Sequence, residues 1–292
     1  MHEASAGAHD AHPAQAPRDA AQAPRDAAQA PRDAARDAPH DAPTAAERAR
    51  TATYGIAGAV LVAPGVPYDP VPAHATDDNG APLLLMPRKS PTVVALTGAD
   101  DLPATLRISD VAPVPLADRV RGRAWLHGWV SELPAGERRA AADRLARLHP
   151  RPELLDLAAA GDPSGADPDG DASGWTILTM DLAEIEIADA WGSADLGPEE
   201  YRDARPDPFV AVEASLLGHL DAAHRAELGR LVPGAEPGRV RPVALDRYGL
   251  WLRATDGDLR VGFGGAVGDV HGLRRAYRRL FASGASGRVR GS

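Results

Sequence analysis

The stretch RGRAWLHGWVSEL, residues 121–133, has the alternating pattern of a β-strand. Successive side chains of a strand point to opposite faces, so Trp125, His127 and Trp129 share one face. The other face consists of small or aliphatic residues, namely Ala124, Leu126, Gly128 and Val130. Because such side chains fill the interior of a small β-barrel, the stretch predicts a barrel strand whose aliphatic face is turned inward.

The tryptophan face, which we define as Trp125, His127 and Trp129, would then lie on the outside of the barrel. Two indole rings and an imidazole form a patch that soluble proteins usually cover. The cover is either packing, by a helix or by a second copy of the chain in a homodimer, or a flat aromatic cofactor. His127 and Trp129 are therefore candidate cofactor-binding residues, with packing or a dimer contact as the competing interpretation.

The composition of the 292-residue chain argues against several classes of function. Its formal net charge of −9 disfavours a nucleic-acid partner, because phosphate binding requires a basic surface. The absence of cysteine excludes disulfides, thiolate nucleophiles and thiolate-rich metal sites. Without an export signal or an apolar run of the roughly 20 residues that a bilayer requires, the sequence predicts a cytoplasmic protein with no membrane partner.

The N-terminal residues, 1–45, are predicted to be disordered. Residues 14–34 are three copies of AQAPRDA, and each copy contains a proline that removes a helix hydrogen bond. The repeat offers no large apolar side chain whose burial could offset the loss of chain entropy. The seven-residue period therefore does not predict a coiled coil.

Two structural units are predicted after this tail, separated by the polar linker GPEEYRDARPDP (197–208). The first unit, residues 46–196, consists mainly of antiparallel strands. It includes a hairpin that turns at Asp77–Gly80, where Asn and Gly tolerate a positive φ. It also includes a long strand over 175–191, whose alternation shifts near Leu182–Ala183 as it would at a β-bulge.

The second unit, residues 205–284, is predicted to contain a three-stranded sheet between two helices. The first helix covers about 209–232, and the last covers about 269–282 with Asp269 as its N-cap. The strands are expected near 240–246, 249–254 and 259–263. Together the two units predict the α+β class.

The first of these helices contains GHLDAAHRAELGRL, residues 218–231. Leu220, His224 and Leu228 recur at steps of four, which predicts that His224 lies on the buried stripe. Asp221 precedes His224 by three residues and could accept a hydrogen bond from its imidazole. We therefore interpret His224 as a core histidine that is satisfied by Asp221 or by a backbone carbonyl.

The same helix lacks the spacing of a metal site. His219 and His224 are five residues apart, roughly 140° around a helix of 3.6 residues per turn. Two zinc ligands on one helix normally lie four residues apart on one face. No metal site is predicted.

A further set of ligand candidates follows the predicted strand PLLLM, residues 82–86. Arg88 and Lys89 come shortly after it and could contact a phosphate. Ser90 follows them, but the sequence places no base beside it, so a hydrolase triad cannot be argued. We take Arg88, Lys89 and Ser90 as candidate cofactor-binding residues.

The C-terminal motifs resemble those of the haem-utilisation proteins. In that family a small α+β domain follows an FMN-binding split barrel of the pyridoxamine-phosphate-oxidase type. The family's helix motif, His-apolar-Asn-x-Asp-His, is matched at His219, Leu220 and His224. Asp221 stands in place of the Asn and Ala223 in place of the Asp. The resemblance covers residues 205–282 and, more loosely, 46–195.

The resemblance implies an α+β fold with an antiparallel FMN-binding-type split β-barrel and a small helix–three-strand–helix domain. It implies FMN or haem at a homodimer interface, with His224 among the candidate ligand residues, and haem or flavin redox metabolism. An enzyme of this kind would be an FMN-dependent oxidoreductase or haem-degrading. The alternative is a cofactor-free binding protein, such as a partner of a tetrapyrrole-synthesis enzyme.

Two segments depart from the family pattern. The segment RKSPTVVAL (88–96) lacks the His and Asn that often hold flavin, and no histidine follows Phe281, where some relatives ligate iron.

We expect that deletion of residues 1–43 leaves the midpoint of thermal unfolding unchanged within error. No large apolar side chain lies between Met1 and Tyr54, so the deleted segment contributes nothing to a core. Scanning calorimetry of the full and shortened chains checks this. A fall of several degrees in the shortened chain would contradict it.

Overall fold

The structure, a computed structural model, describes residues 42–160, 174–236 and 238–282. Residues 1–41 of the predicted disordered tail lie outside the described residues. None of the described helices has the length and apolar character that crossing a membrane requires.

The described elements alternate between strands and short helices. In chain order they are α1 (Ala45–Ala52), β1 (Gly58–Val62), β2 (Asp69–Val71), β3 (Ala73–Thr76), β4 (Pro82–Pro87), α2 (Pro91–Ala95), β5 (Leu102–Val111), β6 (Val120–Glu132), α3 (Ala135–Leu148), α4 (Pro152–Ala160), β7 (Trp175–Asp189), β8 (Gly192–Leu196), α5 (Pro198–Asp203), α6 (Glu213–Ala223), α7 (Arg225–Arg230), β9 (Arg241–Asp246), β10 (Gly249–Ala254), β11 (Gly257–Gly262) and α8 (Val270–Ala282).

The larger sheet forms a nearly closed antiparallel barrel. Its strand order is β2-β1-β5-β6-β7-β4-β3, and β8 pairs with β7 outside this path. Strand β6 occupies the centre, and its residues Ala124, Leu126 and Val130 are 0% exposed. The predicted inward face of residues 121–133 is therefore confirmed.

The predicted bulge in the long strand β7 is also confirmed. His127 pairs with Glu184, whereas Gly128 pairs with Leu182, so Ala183 is the extra residue. A Cβ at Gly128 would lie 1.9 Å from the carbonyl oxygen of Asp181. Only glycine permits this close approach of the two strands.

The predicted hairpin joins β3 and β4. Oδ1 of Asp77 accepts hydrogen bonds from the backbone N–H groups of Asn79 and Ala81, both at 2.8 Å. Gly80 adopts a φ of 89°. The turn is therefore closed by an aspartate side chain and a residue without a Cβ, as its sequence indicated.

The smaller sheet has the order β11-β10-β9 and belongs to the C-terminal part of the chain. Its three strands and the final helix confirm the predicted elements, and Oδ1 of Asp269 accepts a hydrogen bond from the N–H of Gly272 at 2.6 Å. The single helix predicted over 209–232 is wrong. Its regular part divides into α6 and α7 at His224, whose φ of −127° is not helical.

A largely buried ion pair joins the barrel to the C-terminal sheet. Arg121 on β6 donates from Nη1 and Nη2 to the two carboxylate oxygens of Glu213 on α6, at 2.6 and 2.7 Å. Arg121 also donates to Asp110 at 2.8 Å and to the carbonyl of Val243 at 3.0 Å. Glu213 accepts from the N–H of Leu245 at 2.8 Å. Burial by itself lowers the pKa of Arg121, but the charges of Glu213 and Asp110 outweigh it and raise that pKa.

We expect Glu213→Ala to lower the free energy of unfolding by about 3 kcal/mol. Arg121, whose side chain is 15% exposed, loses its bidentate partner and keeps Asp110 as its only carboxylate among the described residues. The matched control is Glu236→Ala. Glu236 pairs with Arg239 at the surface, where both side chains are more than 70% exposed, so its loss should cost less than about 1 kcal/mol. Chemical denaturation of both variants makes the comparison, and equal costs would contradict the role given to Glu213.

His74 on β3 is a second buried ionisable group. It is 2% exposed, and its Nε2 has no hydrogen-bond partner among the described residues. Burial, together with the nearby charge of His149, lowers the pKa of His74 to about 4. The folded state therefore keeps this imidazole neutral at pH values where the unfolded chain, with a pKa of about 6.5, takes up a proton.

The stability that His74 contributes should be fully present above about pH 6.5 and be lost as the pH falls toward 4. The slope for one proton is about 1.4 kcal/mol per pH unit. Urea denaturation between these pH values should therefore show a smaller loss in His74→Leu than in the wild type. His219→Gln, at an exposed histidine, is the control and should keep the wild-type slope. An unchanged slope in His74→Leu would contradict the assignment.

Candidate functional site

The tryptophan face lies on the outer surface of the barrel, as predicted. Trp125 and His127 are half-buried, and Trp129 is 47% exposed. The three side chains share this face because β6 alternates regularly from residue 124 to residue 130. The barrel interior therefore holds the aliphatic side chains, while the aromatic ones remain available for a contact outside the barrel.

His127 is held by side chains from both neighbouring strands. Its Nδ1 lies 2.9 Å from Oγ1 of Thr105 on β5. Its Nε2 lies 3.2 Å from Oε1 of Glu186 on β7. The contact with Thr105 orients the imidazole, whereas Nε2 is buried beside Glu186 and forms no hydrogen bond with any described residue. A ligand could reach Nε2 only after the Glu186 side chain turned away.

A groove of about 450 Å³ runs beside Trp129, and we call it the barrel groove. It lies between β1, β5, β6 and the bulge of β7. Its lining includes Val62, Pro64, Pro103, Thr105, His127 and Trp129. None of the described residues that line it is a lysine or an arginine. The groove suits a flat apolar ring better than a phosphate group.

The residues predicted after β4 lie outside this groove. Ser90 is the N-cap of α2, where its Oγ accepts a hydrogen bond from the N–H of Val93 at 3.4 Å. Nη1 of Arg88 lies 3.4 Å from Oε1 of Glu132 at the end of β6. Lys89 is exposed. The structure therefore does not bring Arg88, Lys89 and Ser90 together with His127 and Trp129.

The predicted burial of His224 on a continuous stripe is wrong. The helix ends at Ala223, and the His224 side chain at the break is 35% exposed. Its ring stacks on Phe281 of α8, with centroids 5.8 Å apart, and meets His219 edge-on at 5.1 Å. His224 therefore packs between α6 and α8 rather than in the interior.

Asp221 also does not accept a hydrogen bond from the His224 imidazole, in contrast to the prediction. Its carboxylate pairs with Arg241 on β9, which donates from Nη2 at 2.7 Å, and with Arg225 at 3.0 Å. Two guanidinium groups form stronger, charge-assisted bonds to a carboxylate than a neutral imidazole does. The sequence spacing favoured the local partner, whereas the fold brings a charged one from a distant strand.

A cavity of about 240 Å³, which no pattern in the sequence predicted, lies between the barrel and the C-terminal sheet. Trp191 and Trp251 meet there edge-on, with ring centroids 5.4 Å apart. The guanidinium of Arg260 lies over both rings, at 5.0 and 5.6 Å from their centroids. The two tryptophans are far apart in sequence, so only their isolated occurrence among few aromatic residues could have drawn attention to them.

Among the residues that the structure describes, no group of three or more His, Asp or Glu side chains is arranged to hold a metal ion.

Comparison with known proteins finds likeness in structure only. No family model matches the chain, and no curated protein matches it. A haem-binding protein from Mycobacterium smegmatis is 23% identical, with 83% of this chain and 98% of that chain covered and a TM-score of 0.52. A protein of unknown function from Agrobacterium tumefaciens is 17% identical over the same shares, with a TM-score of 0.40.

A protein from M. smegmatis that binds FAD and haem is 15% identical, covers 51% of this chain and 80% of its own, and has a TM-score of 0.31. The first of the three likenesses shows the fold. The chain is an α+β protein with an antiparallel split β-barrel followed by a small sheet with flanking helices.

Proposed function

We propose that the protein binds haem in the barrel groove and that two copies of the chain pair over this face. The main support for this proposal is the composition of the groove. It is an apolar surface that contains the exposed ring of Trp129 and the imidazole of His127. A haem-binding protein with the same fold supports the choice of ligand. The groove's volume of about 450 Å³ lies within the range of small-molecule sites.

The groove residues fit a tetrapyrrole better than FMN. The phosphate of FMN needs cationic or N–H donors, and the described lining of the groove contains no lysine or arginine. Arg88, which the sequence suggested as a phosphate ligand, lies near Glu132 outside the groove. The porphyrin ring of haem is apolar, so a groove of this kind would stabilise it through buried ring area, while its two propionate groups would have to remain in water.

Two side chains would hold haem in this groove. Trp129 offers a ring face for stacking, and His127 offers Nε2 as the iron ligand once Glu186 has turned away. Oγ1 of Thr105 lies 2.9 Å from Nδ1 and holds the ring in place. Nε2 would ligate iron in the tautomer in which Nδ1 carries the proton and donates it to Thr105. When bound, haem supplies an iron centre for ligand binding or electron transfer.

A second copy of the chain is the proposed cover of the tryptophan face. Trp129 is 47% exposed beside Pro103, which is also exposed. Tryptophan is enriched in the cores of protein interfaces, where its large apolar area is removed from water. Pairing over this face would enclose a ligand between the two protomers.

Titration of the purified protein with haemin, followed by absorption, tests the ligand. The wild type is expected to produce a Soret band, and Trp129→Glu should weaken binding at least about tenfold, or 1.4 kcal/mol, because it places a charge in the groove. Leu155→Glu is the matched control, since Leu155 is 68% exposed on α4, outside the groove. His127→Ala should shift the Soret band.

Three outcomes would contradict the ligand assignment. A flavin spectrum with FMN and none with haemin would favour the flavin alternative. An absorption spectrum that changes with neither ligand would favour the cofactor-free binding protein. Equal haemin affinity in Trp129→Glu and Leu155→Glu would show that haemin does not bind in the groove.

Light scattering after size exclusion tests the pairing in the same samples. A dimeric wild type that Trp129→Glu converts to monomer, with Leu155→Glu still dimeric, would support it. A monomeric wild type would overturn it.

A further inference from the structure

Arg50 on α1 is a buried cation that has no counterion among the residues that the structure describes. The residue is 4% exposed, and its Nε and Nη1 have no hydrogen-bond partner among the described residues. None of the ion pairs that the described residues form includes Arg50. A buried charge of this kind is costly unless an anion compensates it.

The fold holds the Arg50 guanidinium in a narrow slot. One side is the ring of Tyr201 on α5, whose centroid lies 5.1 Å from Cζ. The other side is Gly80, where a Cβ would lie 1.7 Å from Nη1. Because only glycine leaves room at this position, the turn between β3 and β4 and the guanidinium are matched to each other.

The slot opens into a concavity of about 380 Å³, which we call the arginine pocket. Four arginines line it, namely Arg50, Arg144, Arg147 and Arg205. Two aspartates, Asp77 and Asp78, also line it, so its described lining carries four positive and two negative charges, a net charge of +2. This local excess stands out in a chain whose net charge is −9.

The two aspartates compensate only half of the four positive charges. Oδ1 of Asp77 is engaged in the turn by two backbone N–H groups. Asp78 is 91% exposed and accepts from Nη2 of Arg144 at 2.5 Å. The hydrogen bond from Arg144, with the charges of Arg144, Arg205 and Arg147, lowers the pKa of Asp78. The rim of the pocket therefore attracts negative charge.

We propose that the arginine pocket binds the phosphate group of a small molecule, with Arg50 as the buried donor and Arg147 and Arg205 at the rim. A dianionic phosphate matches the net charge of +2, and guanidinium groups present paired N–H donors to its oxygens. Asp78 competes with this ligand for Arg144. The pocket shares no lining residue with the barrel groove, so the two proposals stand or fall separately.

Calorimetric titration of the full chain with inorganic phosphate, at constant ionic strength and above neutral pH, tests the site. Arg147→Gln should weaken binding about tenfold, which corresponds to 1.4 kcal/mol. Asp78→Asn should strengthen it, because the competing carboxylate is lost, and a gain of affinity cannot arise from misfolding. Arg139→Gln on the same helix, α3, changes an exposed arginine outside the pocket and should leave the affinity unchanged.

Titration with acetate in place of phosphate checks the chemical class. Weaker binding of acetate supports a phosphate site, whereas equal binding overturns it in favour of a carboxylate. No heat with phosphate in either the wild type or Asp78→Asn overturns the site altogether. Equal losses in Arg147→Gln and Arg139→Gln would show nonspecific attraction and overturn it as well.

Discussion

The bidentate bond between Arg121 and Glu213 is the constraint on which the arrangement of the two sheets depends. Arg121 lies near the start of β6, the central strand of the barrel, and Glu213 begins α6. Glu213 is buried and the Arg121 side chain is only 15% exposed, so each charge requires the other, and Glu213 also accepts the N–H of Leu245 on β9. A strand that carries the tryptophan face thus also fixes the position of the C-terminal sheet.

The two proposed sites differ in chemistry because β6 contributes to one of them and not to the other. Its inward aliphatic residues fill the barrel, which leaves aromatic side chains outside and an apolar groove beside Trp129. The arginine pocket forms elsewhere, where α1 and α3 meet the turn between β3 and β4. The first surface stabilises a ligand through buried apolar area, and the second through charge.

Much of the fold follows from short-range patterns in the sequence. Alternation gave both faces of β6, the bulge followed from the phase shift near Ala183, and side-chain oxygens marked the turn at Asp77 and the cap at Asp269. The aromatic half of the candidate groove was likewise predictable, since Trp129 and His127 alternate on one strand. Its other walls, such as Val62 and Pro103, come from strands that only the barrel brings alongside.

Local patterns in the chain were enough to predict the strands, the turns and the direction in which the aromatic side chains of β6 point, because these depend on neighbours a few residues apart. The partners of the charged groups, in contrast, depend on how the whole chain folds. Asp221 pairs with Arg241 rather than with His224, and Arg50 lies between Gly80 and Tyr201. Such partners are distant in sequence, and burial makes the choice between them because an uncompensated charge costs most away from water.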